Sequence, residues 1–240
     1  MLYVIKASNV NLKLLQVLNK EKKMNKKFVI SLIGAPASGK GYIASSLISE
    51  LKNTYAYKNE DIADVSVGEM IRREKRENTP LGQKLAANMK EGGLAPDEII
   101  NEMLINELKT INAKVIVLDG YPRTIGQVRA YGKLMSDYNT AVVFRDTPKD
   151  LIMERVKDRR ICEKCGMAHV VSDGVCSCGG KLIKRKDDEV LPERLEEYEK
   201  MTKPAVIELK ENGKNFFWYE GTAEGETIAK EFFESNKKYL

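Results

Sequence analysis

Gly34-Ala-Pro-Ala-Ser-Gly39-Lys40-Gly41 is the stretch of this sequence that decides the fold. It follows an apolar run at residues 28–33 and opens a segment with apolar residues at helical spacing. A glycine, four residues and then Gly-Lys, between a strand and a helix, is the pattern of a phosphate-binding loop, or P-loop. In such a loop the backbone N–H groups and the helix N-terminus bind phosphates, and Lys40 adds a point charge. The sequence therefore predicts a nucleotide site here.

Strand and helix patterns alternate along the rest of the chain. Short apolar runs predict strands at residues 28–33, 62–67, 115–118, 141–144 and 216–219. Helical spacing predicts helices at residues 39–51, 69–76, 80–90, 96–108, 125–135, 149–159, 191–209 and 223–233. This alternation indicates a parallel sheet covered on both faces, with ligands at the carboxyl ends of the strands. Residues 161–186 interrupt the pattern, and we interpret them as a small inserted subdomain.

Composition excludes several classes of protein. With 240 residues, 42% hydrophobic and 31% charged, the chain reads as soluble and globular, with one sizeable core. No apolar run approaches the roughly 18 residues of a membrane span, and residues 1–23 lack the cleavage site of a signal peptide. We therefore expect a cytoplasmic protein without membrane association. The net charge of +5 suits a polyanionic partner, either a nucleotide or a nucleic acid, without deciding between them.

A second apolar run, Val115-Ile-Val-Leu-Asp119, ends in an acid. Such a strand predicts a carboxylate that holds Mg²⁺ beside the phosphates. A P-loop usually ends in Ser or Thr, whose hydroxyl binds Mg²⁺ directly, but Gly41 stands there instead. We therefore expect Asp119 to act through metal-bound water.

Together with the P-loop, five further motifs resemble the adenylate kinase family. They are Ser66-Val-Gly68-Glu69-Met-Ile-Arg72, Leu118-Asp119-Gly120-Tyr121-Pro122-Arg123-Thr-Ile-Gly-Gln127, Arg155-x-x-x-Arg159-Arg160, Arg185-Lys-Asp187-Asp188 and Arg194-Leu195. Order and spacing match from about residue 27 to the C-terminus. The resemblance implies an α/β, three-layer P-loop fold with a five-stranded parallel sheet, a helical insert for the nucleoside monophosphate (NMP) and a small zinc-ribbon-like lid. The implied divisions are an N-terminal extension (1–27), the core (28–65, 96–157 and 189–240), the NMP-binding insert (66–95) and the lid (158–188).

The resemblance also implies an activity and the residues that perform it. The expected reaction is reversible, Mg²⁺-dependent phosphoryl transfer from ATP to AMP, giving two ADP, by a monomer that binds no nucleic acid and serves nucleotide homeostasis and salvage. The implied catalytic residues are Lys40, Arg123, Arg159, Arg185, Arg194 and Asp119. The implied ATP-binding residues are Ala37, Ser38, Gly39, Lys40, Gly41, Tyr42, Arg155, Arg159 and Ala223. The implied AMP-binding residues are Val67, Arg72, Gly93, Leu94, Ala95, Gly120, Tyr121, Pro122, Arg123, Gln127, Arg185 and Arg194.

On the acceptor side, the implied roles suit the chemistry of the side chains. The guanidinium forks of Arg72 and Arg123 suit bidentate binding of the acceptor phosphate. Gln127, which we expect one helical turn past Arg123, carries a donor and an acceptor that match the edge of adenine. No general base is needed, because the attacking oxygen of a monophosphate is already anionic.

The other arginines are assigned to the donor and the lid. Arg155 and Arg159 are four residues apart, so we expect them on one helix face. By resemblance, Arg155 stacks on the ATP base and Arg159 reaches its phosphates. Arg185 and Arg194 arrive with the lid and neutralise charge on the transferring group.

Three positions depart from the family pattern. Ala37 stands where a third loop glycine is usual, which is tolerated if its φ is negative. Tyr42 and Val67 each stand where the family usually has threonine, and Val67 removes a hydroxyl at the acceptor base. UMP/CMP kinases have alanine at the position of Val67, but asparagine at that of Gln127. Two alternatives stay open: a UMP or CMP kinase, and a nucleotide-binding regulator that has lost turnover.

All four cysteines lie between Cys162 and Cys178. In a cytosolic chain such clustering favours metal over disulfides. Resemblance to the zinc-containing lids of many bacterial adenylate kinases implies a structural Zn²⁺ held by Cys162, Cys165, Cys176 and Cys178. Because Cys176-x-Cys178 makes a tighter turn than the usual pair, His169 could replace one thiolate.

Overall fold

The computed structural model of the chain describes residues 26–89, 93–164, 168–170, 174–185, 188–212 and 215–240. The strands are β1 (Phe28–Gly34), β2 (Ile62–Ser66), β3 (Val115–Asp119), β4 (Asn139–Asp146), β5 (Arg159–Cys162), β6 (Ala168–Val170), β7 (Leu182–Ile183) and β8 (Phe216–Glu220). The helices are α1 (Lys40–Asn53), α2 (Val67–Arg76), α3 (Pro80–Asn88), α4 (Asp97–Thr110), α5 (Ile125–Leu134), α6 (Lys149–Lys157), α7 (Leu191–Glu197), α8 (Lys203–Glu211) and α9 (Gly225–Asn236).

The core is a five-stranded parallel sheet in the order β2-β3-β1-β4-β8. Its central strands read as continuous apolar runs because helices cover both faces. On one face Leu47 of α1 and Phe232 of α9 pack on the sheet, and Leu104 of α4 and Val206 of α8 pack on the other. The predicted three-layer α/β fold with a five-stranded parallel sheet is confirmed.

Strand register gathers chemically active residues at one edge of the sheet. Along β1, Leu32 pairs with Asp119 of β3, and Gly34 pairs with Arg145 of β4. The P-loop, the acid and an arginine therefore meet where the carboxyl ends of the strands meet, which is where open α/β sheets bind ligands.

The helix expected at residues 191–209 contains a π-helical turn. Helix α7 ends at Glu197, a π-helical turn spans Tyr198–Thr202, and α8 begins at Lys203. Pro204 is the physical reason, because it has no N–H to donate back along the helix and its ring crowds the preceding turn. The helical conformation continues through this turn, because Tyr198, Thr202 and Lys203 all keep right-handed helical φ and ψ. The predicted helix is confirmed, and only its π-helical turn was not predicted.

A second, small antiparallel sheet lies within the segment that the sequence predicts to be the lid. Its three strands lie in the order β6-β5-β7, with Ile161 paired to Ala168 on one side and to Ile183 on the other. A cluster of Cys162, Cys176 and Leu182 is buried inside it. Within the ranges described, no helix combines the length and apolar character that a membrane span requires.

Candidate active site

The P-loop joins β1 to α1, and its lysine is folded back onto the loop. Gly39 precedes the helix with a φ of 95°, a left-handed conformation that glycine adopts without strain. Lys40 Nζ donates hydrogen bonds to the carbonyls of Gly34 at 3.0 Å and Ala35 at 2.8 Å. The loop is braced from outside, because Thr147 Oγ1 donates to the Ser38 carbonyl at 3.1 Å.

Desolvation controls the charge of Lys40. Burial lowers the pKa of Lys40 to about 8; Asp119 raises it, while Arg123, Arg194 and Arg185 lower it further. These three arginines therefore lie near enough to Lys40 to repel its charge. A polyanion placed among them relieves that repulsion, so the group is suited to phosphate.

Asp119 and Arg123 flank the glycine that follows β3. Asp119 Oδ1 is buried and has no hydrogen-bond partner among the residues described. Arg123 Nε donates to the Gly120 carbonyl at 2.7 Å. A Cβ on Gly120 would lie 2.3 Å from Arg123 Nη2, so only glycine leaves room for this guanidinium. Burial lowers the pKa of Arg123; Asp119 opposes the shift, and Arg72 and Arg185 add to it.

A cleft of about 300 Å³ opens beside the P-loop. Four of the predicted cations, Lys40, Arg72, Arg123 and Arg194, line it. Arg72 also pairs with Glu69 at 2.9 Å. The other lining residues are Gly34, Pro36, Gly68, Ile71, Lys75, Met89, Gly93, Leu94, Val190, Glu197, Tyr198 and Thr202. Sequence reasoning missed the contribution of Tyr198 and Thr202, since it treated residues 191–209 as one plain helix.

A smaller pocket adjoins the cleft. It is lined by Val67, Ile71, Leu94, Ala95, Ile100, Gly120, Arg123 and Gln127. Tyr121 is buried next to it and donates to Asn101 Oδ1 at 2.7 Å, and the peptide bond from Tyr121 to Pro122 is cis. The pocket is apolar apart from Arg123 and Gln127, which suits a nucleobase edge.

Gln127 lines this pocket, but its position relative to Arg123 differs from the one expected. Helix α5 begins at Ile125, so Arg123 precedes it, and Thr124 caps it by accepting the Gln127 N–H at 3.0 Å. Gln127 Oε1 accepts the backbone N–H of Arg123 at 2.8 Å, and its Nε2 donates to Asp97 Oδ1 at 2.9 Å. One N–H and one lone pair of the amide remain for a ligand. Asp97, which sequence reasoning missed, therefore orients Gln127.

Arg155 and Arg159 do not share a helix face, and that expectation was wrong. Helix α6 ends at Lys157, and Arg159 begins strand β5, where it pairs with Val170. Arg155 donates from Nη1 to the Ser38 carbonyl at 3.2 Å and from Nη2 to the Gly221 carbonyl at 2.7 Å. Arg159 forms a two-point ion pair with Asp188, in which its Nε lies 3.1 Å from Oδ2.

Comparison with known proteins identifies the family. The sequence profile that describes adenylate kinases matches residues 32–214. The chain belongs to the adenylate kinase family. A relative named adenylate kinase from Clostridium tetani is 36% identical over 208 residues, covering 81% of this chain and 92% of the relative. Relatives of the same name from Caldicellulosiruptor saccharolyticus (36% identical; 76% and 86% covered) and Mesoplasma florum (35% identical; 74% and 84% covered) match similarly.

The three departures from the adenylate kinase pattern now have a geometry. Ala37 has a φ of 59°, so the condition on which the alanine would be tolerated without strain, a negative φ, is not met. Because a Cβ in this left-handed region crowds the carbonyl, Ala37 is strained. Tyr42, the third residue of α1, is 54% exposed, and Val67 is buried in the smaller pocket. Ala223 lies in the turn between β8 and α9, where its N–H donates to the Glu220 carbonyl at 3.0 Å.

Three of the four cysteines converge. The sulfur atoms of Cys162, Cys176 and Cys178 all lie within 4.8 Å of one another, and those of Cys162 and Cys178 are 3.4 Å apart. Tetrahedral zinc, with Zn–S near 2.3 Å, places its sulfurs about 3.8 Å apart, so the arrangement fits zinc. Cys165 lies outside the described residues. His169 does not belong to this group, and its Nε2 is buried with no hydrogen-bond partner in the described part of the chain.

Proposed function

We propose that this member of the adenylate kinase family transfers a phosphoryl group reversibly from ATP to AMP, giving two ADP. One observation carries the proposal: Arg123, Arg185 and Arg194 lie close enough to Lys40 to lower its pKa, and Lys40, Arg123 and Arg194 line the cleft beside the P-loop. Such a group stabilises a phosphoryl group in transit, since the transition state spreads negative charge over several oxygens.

The chain's own residues position and neutralise the reactants. The P-loop amides and Lys40 hold the donor phosphates, and Arg72 and Arg123 hold the acceptor phosphate from the opposite side of the cleft. Gln127 and Val67 contact the acceptor base. The acceptor oxygen attacks as an anion, so the contribution of the protein is alignment, charge stabilisation and exclusion of water.

Asp119 fits the Mg²⁺ that accompanies the donor. Its Oδ1 is buried and has no hydrogen-bond partner among the described residues. Burying a carboxylate oxygen in this way costs free energy unless a cation or a water molecule binds it. When bound, Mg²⁺ neutralises charge on the donor phosphates. In the lid, we assign Cys162, Cys165, Cys176 and Cys178 to a structural zinc ion.

Two other functions each rest on one observation. Val67 gives the smaller pocket an apolar wall where threonine is usual, which would favour UMP or CMP as acceptor. The positive φ of Ala37 strains the P-loop, which would favour a regulator without turnover. A coupled assay of ADP release with AMP, CMP, UMP and GMP as acceptors tests all three. We expect the highest kcat/KM with AMP. An equal or higher kcat/KM with CMP or UMP would assign that nucleotide as the acceptor. Absence of turnover with all four acceptors would favour the regulator without catalytic activity.

A further inference from the structure

Asp97 lies in the first turn of α4, in contact with Gln127 but absent from the lining of the smaller pocket. Its Oδ1 accepts a hydrogen bond from Gln127 Nε2 at 2.9 Å. Thr124 Oγ1 donates to both carboxylate oxygens, each at 2.8 Å. Since Thr124 caps α5 and Gln127 lies in that helix, the carboxylate joins α4 to the start of α5. Asp97 therefore acts on the pocket only through Gln127.

A glycine at the start of α5 leaves room for this carboxylate. A Cβ built on Gly126 would lie 2.2 Å from Asp97 Oδ2 and 3.3 Å from its Cγ. Any side chain at position 126 would push the carboxylate away from Thr124 and Gln127. The contact between the two helices is therefore built around the position of the Asp97 carboxylate.

The two protein partners of the Gln127 amide have opposite hydrogen-bonding character. The backbone N–H of Arg123 donates to Oε1 at 2.8 Å, whereas Asp97 accepts from Nε2. A backbone N–H can only donate, and a carboxylate can only accept. If the amide turned over, Nε2 would face the N–H and Oε1 would face the carboxylate. Gln127 is 3% exposed, so water would not replace the lost hydrogen bonds and the amide keeps one orientation.

A fixed amide presents its remaining N–H and its remaining lone pair to the pocket in a fixed order. Adenine offers an acceptor nitrogen beside its 6-amino donor, which complements this pair. A 6-oxopurine carries the acceptor O6 in place of the amino group, and O6 would face the amide oxygen. An amide that could turn over would accommodate either base, so the discrimination depends on what holds Gln127.

We propose that Asp97 is a positioning residue that determines acceptor specificity. By holding the Gln127 amide in one orientation, it makes the smaller pocket select 6-aminopurine over 6-oxopurine nucleoside monophosphates. The inference rests on the proposed function for the placement of the acceptor base in this pocket. It requires the acceptor-only character of the carboxylate, and not merely a side chain of its shape.

Equilibrium binding of AMP and IMP tests the inference, because these nucleotides differ at the C6 edge of the base. Calorimetry on the full chain measures both affinities for the wild type and for Asp97→Asn. We expect the AMP-to-IMP affinity ratio to fall about tenfold in this variant, because an asparagine amide can donate to Gln127 Oε1 and so permits the turned orientation. Some preference for AMP is expected to remain, since the Arg123 N–H still favours the original orientation.

Glu98→Gln is the matched control for Asp97→Asn. Both acids lie in the first turn of α4, so each substitution removes the same charge near the same helix N-terminus. Glu98 is exposed, and its substitution is expected to leave the affinity ratio unchanged. Gly126→Ala displaces the carboxylate without removing its charge, and it is expected to lower the ratio as Asp97→Asn does.

The affinity ratio separates base selection from a structural role. If Asp97 serves only the packing of α4 against α5, both affinities fall together in Asp97→Asn and the ratio stays constant, which would overturn the inference. Equal affinity of the wild type for AMP and IMP would overturn it as well. The ratio is insensitive to the fraction of each variant that folds. Failure of the proposed function is distinguishable, because it appears as absence of ADP release in the coupled assay, whereas the ratio is measured without turnover.

Discussion

The protonation of Lys40 links nucleotide binding to pH. With a pKa of about 8 in the ligand-free protein, Lys40 is mostly charged at pH 7 and mostly neutral at pH 9. Bound phosphates favour the charged form and raise its pKa. The contribution of Lys40 to ATP affinity is therefore fully present below pH 8 and is lost as the pH rises toward the pKa of the bound state. We expect the Kd for ATP to rise about tenfold per pH unit in that window.

Calorimetric titration with ATP from pH 7 to 9.5 measures this slope. Lys40→Met is the control, and it is expected to bind more weakly at every pH, without the slope. It should also lower turnover by about 10²-fold or more, as loss of one transition-state donor does. A wild-type Kd that stays constant up to pH 9.5 would contradict the assignment of Lys40.

Ala37→Gly is expected to stabilise the protein. The φ of 59° places the alanine Cβ in a conformation that costs about 1–2 kcal/mol, part of which is offset by the greater unfolded-state entropy of glycine. A net gain of about 1 kcal/mol raises the melting temperature by roughly 2–4 °C in a chain of this size. Thermal unfolding of the ligand-free protein measures it.

The chain offers a matched control for this substitution. Ala56 has a φ of 55° and is exposed, outside the P-loop. Ala56→Gly is expected to give a similar stabilisation with unchanged nucleotide affinity. If Ala56→Gly stabilises while Ala37→Gly destabilises, the P-loop alanine makes contacts that outweigh its strain.

Gln127→Ala is expected to raise the KM for AMP more than that for ATP. Removing the amide takes away the remaining donor and acceptor from the smaller pocket, at about 1–3 kcal/mol, or roughly one to two decades. It also releases Asp97 and the Arg123 N–H, so some loss of stability is expected. Steady-state kinetics with each substrate varied in turn gives the two KM values.

Thr124→Val serves as the control for Gln127→Ala. It removes the cap of α5 and a contact to Asp97, and Thr124 is absent from the lining of the smaller pocket. It should therefore lower stability without separating the two KM values. Equal rises of both KM values in Gln127→Ala would mean that the amide supports the fold and does not read the base.

Sequence reasoning named Gln127 but did not foresee how the fold uses it. Its residue type and its distance from Arg123 are visible in the sequence, whereas its bond to Asp97, thirty residues away, depends on packing of α4 against α5. Arg145 left a faint signal, a charged residue directly after an apolar run at 141–144. The positive φ of Ala37 left none, because backbone conformation at a loop alanine is set by the turn around it.

At the scale of elements, the lid cysteines lead to a metal prediction. Purified protein is expected to contain about one zinc ion per chain, and its removal by a chelator is expected to lower the melting temperature, since the metal binds the folded lid. Cys176→Ser is expected to lose the metal. Ser177→Ala, at the residue between two of the sulfur ligands, is expected to keep it.

The same measurement decides the role of His169. Since His169 lies outside the group of three sulfur atoms, His169→Ala is expected to retain zinc, as determined by elemental analysis. Retention in Cys176→Ser together with loss in His169→Ala would assign the imidazole as a ligand in place of that thiolate. Absence of metal from untreated protein would remove the zinc assignment altogether.

The boundaries of helices and strands were predictable where the hydrophobic periodicity ends at a glycine or proline, and not elsewhere. The P-loop strand and helix were found because the apolar run, the glycines and the helical spacing coincide. The end of α6 at Lys157 was missed, since Asp158 and Arg159 continue a polar helical pattern and the competing strand pairing of Arg159 with Val170 is non-local. The π-helical turn before Pro204 was also missed. The spacing of apolar residues carries no information about the backbone N–H that proline lacks.

Across the whole molecule, the cations of the site come from separate parts of the chain. Lys40 begins α1, Arg123 precedes α5, Arg185 follows β7 and Arg194 lies in α7. When no nucleotide is bound, Arg123, Arg185 and Arg194 lower the pKa of Lys40, and Arg185 lowers that of Arg123, so these cations repel Lys40 or Arg123. Bound phosphates attract all of these cations. We therefore expect a bound nucleotide to stabilise contacts between the predicted lid, through Arg185, and the predicted core.

Hydrogen exchange of backbone amides measures this coupling. With saturating ADP and no Mg²⁺, exchange in lid strands β5 and β7 is expected to slow, because transient opening of the lid then breaks contacts to the phosphates. Arg185→Met is expected to abolish most of this protection, while the central strands β1 and β3 exchange slowly in every sample and provide the internal reference. Lys238→Met, a substitution of similar charge change near the C-terminus, should leave it intact. Equal lid protection in Arg185→Met and in the wild type would mean that nucleotide is held by the core alone, and that the lid arginine does not reach the phosphates.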